Sequence, residues 1–131
     1  MVRESLIKDR VTTHLNTKHF KVLEEVPFLD KRIDVLGYSS KRRRIIAVEA
    51  KVANWQKALE QALTYRLVAE EVYVALWHDN IRRIELDQFK AFGIGVMDVN
   101  CRVMTLLDPS KSSIIHRSLR SGVEQYIEQS A

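Results

Sequence analysis

Apolar residues recur four apart near the start of the chain, at Ile7, Val11 and Leu15 with Leu6 beside them, and polar or charged residues fill the gaps. That spacing predicts an amphipathic helix from Glu4 to Leu15. The segment from Phe20 to Phe28 is rich in Val and Phe and closes at Pro27, which an edge strand tolerates, so a first strand is expected there. Arg32 to Tyr38 alternates around Ile33 and Val35, breaks at Gly37 to Ser40, passes through a basic run and returns as the apolar stretch Ile45 to Val52. This predicts a hairpin of two strands.

Asn54 is placed to cap a long helix in which Trp55, Ala58, Leu59, Ala62 and Ala69 lie at three- and four-residue intervals. Val72 to Trp77 follows, short, β-branched and aromatic, and reads as a buried strand reached through a helical crossover. Beyond it the pattern predicts a helix from Arg82 to Phe92 stopped at Gly93, then a hairpin of Gly95 to Val99 and Arg102 to Leu107 turning at Asn100. Asp108, Pro109 and the serines around Lys111 form a loop, and a terminal helix from near Ile114 to Gln129 aligns Leu119, Val123 and Ile127. The expected architecture is therefore one α/β domain over residues 1–131, a central mixed β-sheet flanked by helices. Its αβββαβ core occupies 1–77, and the further helix, hairpin and terminal helix occupy 78–131.

Composition fits one such domain: 131 residues, 46% of them hydrophobic, suffice for a single core. Cys101 is the sole cysteine, which excludes a disulfide framework or a multi-cysteine zinc site within one chain and points to a reducing compartment. Charges interrupt every apolar stretch of the N-terminus and no run approaches membrane-spanning length, so a cytoplasmic protein without a membrane partner is expected. A formal net charge of +4 favours polyanionic partners. The cations cluster at Lys41, Arg42, Arg43 and Arg44, and again at Arg82 and Arg83. A mobile hairpin tip carrying four adjacent cations suits phosphate contacts beside an active centre, and a plain solvated turn accounts for the first cluster equally well.

Chemistry concentrates on the hairpin. Strand residues alternate faces, so Glu49 and Lys51 project to one side, roughly 6 to 7 Å apart, while Ile46, Val48, Ala50 and Val52 form an apolar core face. On the preceding strand Ile33 and Val35 take the core face, which leaves Asp34 free to come level with Glu49. Two carboxylates and a lysine suit phosphodiester hydrolysis with a divalent metal, because Mg²⁺ takes a few hard carboxylate oxygens and keeps several waters. Asp34 and Glu49 would hold the metal, the backbone carbonyl of Ala50 would supply a further oxygen, and Lys51 would stabilise developing charge or orient the attacking water. From spacing alone, a surface ion pair of Glu49 and Lys51 beside a strand-end Asp34 is an equal alternative.

Asp34, fourteen intervening residues and then Glu49-Ala50-Lys51 resemble the PD-(D/E)XK nuclease superfamily, whose common core is similar to the αβββαβ order inferred over roughly the first 77 residues. Ile33 stands where the name-giving proline would be. Gln61 and Tyr65, one helical turn apart, resemble the QxxxY element of a subset of these nucleases. The resemblance implies a Mg²⁺- or Mn²⁺-dependent nuclease acting on nucleic acid, most plausibly DNA, with Asp34, Glu49 and Lys51 catalytic. It also implies that Gln61 positions the lysine or the DNA backbone, that Tyr65 meets nucleic acid or packs, and that Glu4 completes the metal site. For Glu4, an acidic residue favourable near a helix N-terminus or a partner of Lys8 is an equal reading.

Other patterns add little. Glu24 and Glu25 read as a solvated strand edge, with a second metal as the sharper option. The four histidines lack ligand spacing, and there is no P-loop, GxGxxG or GxSxG pattern. Two further classes stay open: a catalytically weak or inactive module of this fold that binds nucleic acid or a protein partner, and an assembly protein that dimerises through Leu119, Val123 and Ile127. The same stripe would equally finish the monomer core.

Overall fold

A computed structural model describes residues 2–130. Helix α1 (Glu4–Thr17) buries Ile7, Val11 and Leu15, the three positions that set its apolar stripe. Strands β1 (Lys21–Phe28), β2 (Lys31–Ser39) and β3 (Arg44–Lys51) follow, then helix α2 (Trp55–Tyr65) and strand β4 (Glu71–Trp77). The αβββαβ order expected from the pattern is present. Asn54 adopts a left-handed φ of 57° and its side chain accepts a hydrogen bond from the Lys57 amide, so α2 starts at the capping residue the sequence marks.

The six strands lie in the order β1-β2-β3-β4-β5-β6, with β5 (Gly95–Val99) and β6 (Val103–Leu107) completing a mixed sheet. β2 runs antiparallel to both β1 and β3, β3, β4 and β5 run parallel to one another, and β6 returns antiparallel to β5. Helices cover both faces. Ile7, Val11 and Leu15 of α1 pack with Val35, Ile46, Val48, Ala50, Tyr73 and Ala75 on one side. On the other, Trp55, Ala58, Leu59 and Ala62 of α2 pack with Ile33, Leu36, Ile45, Ala47, Val72 and Val74, joined by Phe89, Val123 and Ile127 from further helices. A sheet buried on both sides requires near-continuous apolar strands, as β3 and β4 have.

Two expectations need correction. In place of one helix over Arg82 to Phe92 there is a 3-10 helix, His78–Arg83, an extended Ile84, and a short α3 (Leu86–Phe92) closed by Gly93 at φ 71°. The side-chain amide of Asn80 donates to the carbonyl of Val52 at 2.6 Å and ties this tight turn to the end of β3. The terminal helix α4 (Arg117–Gln129) begins later than its apolar residues suggest: Ile114 and Ile115 are exposed, and the ring of His116 accepts from the Leu119 amide as the cap. Val123 and Ile127 are buried and Leu119 packs against them, so this stripe completes the core and is no dimer face.

Candidate active site

Two ladders converge on Asp34. The β1–β2 ladder pairs Glu24 with Val35 and Val26 with Ile33, which sets Glu25 level with Asp34. The β2–β3 ladder ends at Val35 with Val48, and its continuation sets Asp34 level with Glu49. At that point the Asp34 side chain replaces the ladder: its Oδ2 accepts the Ala50 amide at 2.8 Å. β2 turns over here, because Ile33 packs on the α2 side of the sheet while Val35 packs on the α1 side. The sequence reading put both on one core face; each is buried, but against different helices. With both faces covered, strict alternation is not needed to bury both residues, and the strand is free to rotate at Asp34.

Glu49 lies on the face covered by α2 and is 5% exposed, so it is no member of a solvated surface pair. The Tyr65 hydroxyl, one helical turn beyond Gln61 on α2, donates to Glu49 Oε1 at 2.7 Å, and lies 3.0 Å from the carbonyl of Arg32. Tyr65 is 1% exposed, which favours packing over a place at a nucleic-acid surface, and its hydroxyl is bonded to a carboxylate. The signal was its spacing from Gln61; its partner was not visible, because the hydrogen bond joins a helix to a strand sixteen residues away.

Each carboxylate therefore has one oxygen committed to a protein donor, Asp34 Oδ2 to Ala50 and Glu49 Oε1 to Tyr65, while Asp34 Oδ1 and Glu49 Oε2 accept no hydrogen bond among the described residues. Burial pushes the Glu49 carboxyl up to about 7, helped by the neighbouring Asp34 charge; the Tyr65 hydroxyl and Lys51 oppose the rise. Burial also raises Asp34, with Glu25 and Glu4 adding to it and the Ala50 amide and Lys8 opposing it. The nearby cations thus leave the pair under-compensated, which is the electrostatic condition of a cation site.

Lys51 ends β3 with its Nζ 3.8 Å from Glu4 Oε2, so the α1 carboxylate proposed as a ligand is brought to the same end of the sheet and faces the lysine. Lys8 pairs with Glu25 at 2.8 Å. Gln61 is half-buried, and its Oε1 is buried without a hydrogen-bond partner among the described residues. The Ala50 backbone lies inside the parallel ladder, level with Ala75. Among the described residues no group of three or more His, Cys, Asp or Glu side chains gathers as a metal-binding cluster.

The basic run is not beside this centre. Arg44 begins β3 and Glu49 lies five residues on, about 16 Å along the strand, and Lys41, Arg42 and Arg43 form the turn beyond Arg44. Arg44 is paired with Glu71 and lies over the Phe20 ring, 5.4 Å from its centroid. Lys41 and Arg42 instead line a groove of about 660 Å³ with Lys18, His19 and Lys21 at the far end of the sheet. Arg82 and Arg83, both exposed, stand instead at the candidate-site end with Lys51, in the 3-10 helix that leaves the C-terminal end of β4, and Arg83 lines a groove with Asn54, Gln56 and Asn80. The composition marked this pair, but only the parallel β3–β4 register places it.

No known family model matches the chain, and no curated protein sequence matches it. Among solved structures, a protein of unknown function from Silicibacter pomeroyi superposes with a TM-score of 0.73 at 16% identity, over 94% of this chain and 82% of that one. These two chains share a fold. SfsA from Pyrococcus furiosus, solved in complex with Ca²⁺, aligns at a TM-score of 0.48 and 9% identity, over 84% of this chain and 65% of that one, a likeness too slight to define a common fold. No helix among the described residues is long and apolar enough to cross a membrane.

Proposed function

We propose that the chain is a divalent-metal-dependent nuclease of the PD-(D/E)XK type, hydrolysing phosphodiester bonds in nucleic acid, with DNA as the substrate. The observation that carries this reading is the Asp34–Glu49 pair, in which one oxygen of each carboxylate is fixed by a protein donor and the other is uncommitted. Fixing one oxygen orients the other, as outer hydrogen bonds do for ligating carboxylates. Two hard oxygens in an under-compensated negative site fit Mg²⁺ or Mn²⁺, which fill their remaining positions with water and substrate. Asp34 and Glu49 would hold the ion, with the Ala50 carbonyl and Glu4 as the further donors the motif offers. When bound, the metal lowers the pKa of water and polarises the phosphoryl oxygen.

The chain's own groups supply the rest. Tyr65 keeps Glu49 in one rotamer and shields it from water on the α2 side. Lys51 carries a cation to the same end of the sheet, where it would neutralise charge building on the phosphate. The orphan Oε1 of Gln61 is an acceptor in need of a donor, and the Lys51 ammonium or a bound water would satisfy it. Arg82 and Arg83 add positive potential for a phosphate backbone at this end. A second reading, a nucleic-acid or protein-binding module of the same fold without cleavage, is favoured by one feature: Glu4 faces Lys51 and does not join the carboxylate pair.

The test incubates the purified chain and a Lys51→Ala variant with duplex, branched and single-stranded DNA and with RNA, with and without Mn²⁺. Metal-dependent cleavage by the parent and its loss in the variant is the expected result. Equal cleavage by both proteins rejects the assignment, and binding without cleavage by the parent selects the module reading.

A further inference from the structure

The groove of about 660 Å³ opens at the end of the sheet opposite Lys51, where two turns meet the last residues of α4. The α1–β1 turn contributes Lys18, His19 and Phe20, and the β2–β3 turn contributes Ser40, Lys41 and Arg42. Both turns are set by their backbones. The Phe20 amide donates to the Leu15 carbonyl at 3.2 Å across a left-handed His19 at φ 68°. Arg43 is left-handed at φ 49°, and its carbonyl accepts from the buried Arg120 at 2.9 Å. The groove is therefore shaped before any ligand arrives, which lowers the cost of binding one.

Its charge is one-sided. Lys18, Lys21, Lys41 and Arg42 line it against one carboxylate, Glu128, and none of these four cations makes an ion pair among the described residues. Lys21 Nζ donates to the Ile127 carbonyl at 3.0 Å, which uses one of its protons and leaves its charge unmatched. Other cations at this end are matched, Arg44 by Glu71 and Arg120 by Glu70. Four like charges held around one hollow repel, and an anion bound there offsets the repulsion. Arg42 also lines an adjoining hollow of about 360 Å³ with Arg43 and Lys111, so the positive track runs on past the groove. A track of this length suits a chain of phosphates better than a single one.

Two rings choose among polyanions. Phe20 and Tyr38, both half-buried, line the same groove as the cations. Cations interleaved with aromatic rings match an unpaired strand, whose phosphates meet the charges and whose bases stack on the rings. An acidic peptide brings no base to stack, and a flat bilayer surface does not enter a concave groove.

We propose that this groove binds single-stranded nucleic acid along its phosphate backbone, at a site separate from the candidate metal centre. Arg44 lies about 16 Å along β3 from Glu49 and the groove lies beyond it, so the inference does not depend on the nuclease reading.

Fluorescence anisotropy with a labelled oligothymidylate of about 15 nucleotides tests it in EDTA, where no metal-dependent cleavage intervenes. The intact chain should bind, with log K falling linearly as log salt rises. Lys18→Gln/Lys41→Gln/Arg42→Gln should raise the Kd about tenfold or more and make the salt slope shallower by about 2. Its melting should match the parent's, because all three side chains are exposed. Tyr38→Leu should weaken binding about tenfold with the salt slope unchanged, and Tyr38→Trp should keep the parent affinity. Melting curves confirm the fold of each variant, and the triple variant keeps the test decisive where Tyr38→Leu is destabilised. No binding by the parent overturns the proposal. So does binding that the triple variant keeps and Arg82→Gln/Arg83→Gln abolishes, because the strand then lies at the other end of the sheet. Equal affinity for a duplex of the same length or for polyglutamate also overturns it, as does binding only to vesicles of equal parts phosphatidylcholine and phosphatidylserine.

Discussion

The Tyr65 hydroxyl stands 2.7 Å from Glu49 Oε1, and this one bond joins the crossover helix to the strand that carries the motif. Tyr65→Phe removes the donor while keeping the ring that packs edge-on against Phe28 at 6.5 Å between centroids. Glu49 then loses the hydrogen bond that opposes its upward shift and the contact that fixes its rotamer. Metal affinity should fall about 10- to 100-fold, as it does when a ligand's outer partner is lost. Stability should fall by about 1 kcal/mol, since a buried acceptor is left with less than its due. Calorimetric titration with Mn²⁺ and thermal unfolding of parent and variant measure the two effects; an unchanged Mn²⁺ affinity removes Tyr65 from the site.

Glu49 also gives the metal-free protein a signed pH dependence. Its carboxyl is raised from 4.5 to about 7 in the folded chain, so between those values the folded state binds more protons than the unfolded state. Its contribution to stability is complete below about 4.5 and is lost as pH rises through about 7; Asp34, shifted the same way, adds to the slope. The loss is on the order of 3 kcal/mol for a group this buried. Melting temperatures measured from pH 5 to 8 without divalent metal should therefore decline, Glu49→Gln should flatten that decline, and Mg²⁺ should restore stability at pH 8 by binding the folded state. A flat profile in the parent protein contradicts the shift.

Asp34→Asn separates stability from function. The amide oxygen of Asn still accepts from Ala50, so the strand contact is retained while the charge that helps push Glu49 up is removed. Metal-free stability at pH 8 should rise by on the order of 1 kcal/mol, and Glu49 should titrate below about 7. Mn²⁺ binding should be abolished. Functional sites hold like charges together at a cost in stability that such a variant recovers. Carboxyl titration by NMR and chemical unfolding test both halves, and a destabilised variant would show that Asp34 is held for its structure alone.

The parts of this architecture legible in the sequence were those set by local pattern. The period of Ile7, Val11 and Leu15 fixed α1, Asn54 marked the start of α2, and the apolar stretch from Ile45 to Val52 marked the second strand of a hairpin, which spans Arg44–Lys51. The level placement of Asp34 and Glu49 also followed locally, because a hairpin register propagates from its turn. What escaped was everything decided by a third element. That Glu49 is covered depends on where α2 packs, and that Lys41 and Arg42 lie far from Glu49 depends on the length of β3 between them. The break between the 3-10 helix and α3 depends on Asn80 reaching Val52, a contact no periodicity reports. The terminal stripe left two readings open, and burial of Val123 and Ile127 chose between them.

Arg120 tests the junction that holds α4 to the sheet. It is 8% exposed, and its guanidinium donates to the carbonyls of Val68 at 3.2 Å and Arg43 at 2.9 Å while pairing with Glu70. Glu70 in turn accepts the Ile45 amide at 2.7 Å, so the cation ties the first residues of β3 to the helix. Arg120→Met keeps most of the volume but leaves Glu70 and two carbonyls without their partner. A loss of about 1 to 3 kcal/mol is expected in chemical unfolding, because two backbone carbonyls lose their donor and the half-buried Glu70 loses its cation. Glu70→Gln with Arg120→Met should recover part of it by removing the stranded charge. If the single variant unfolds like the parent, the junction does not carry α4.

Gly95 makes the sharpest steric prediction. A Cβ added there would lie 2.8 Å from the Leu107 carbonyl oxygen, 2.8 Å from Pro109 Cδ and 2.8 Å from a ring carbon of Tyr73. A backbone oxygen and a proline ring cannot step aside as a flexible side chain would, and the neighbouring ladder already shifts register between Val96 and Met97. Gly95→Ala must therefore push β6 away from β5 or displace Tyr73 from the face it shares with α1. Overpacking of this kind costs about 1 to 3 kcal/mol. The displacement is local to one rim of the sheet, so amide exchange should quicken in β5 and β6 while Ala50 and the Asp34 hydrogen bond stay protected. Uniform loss of protection through β2 and β3 would mean that the rim and the strands carrying Asp34 and Glu49 unfold as one unit.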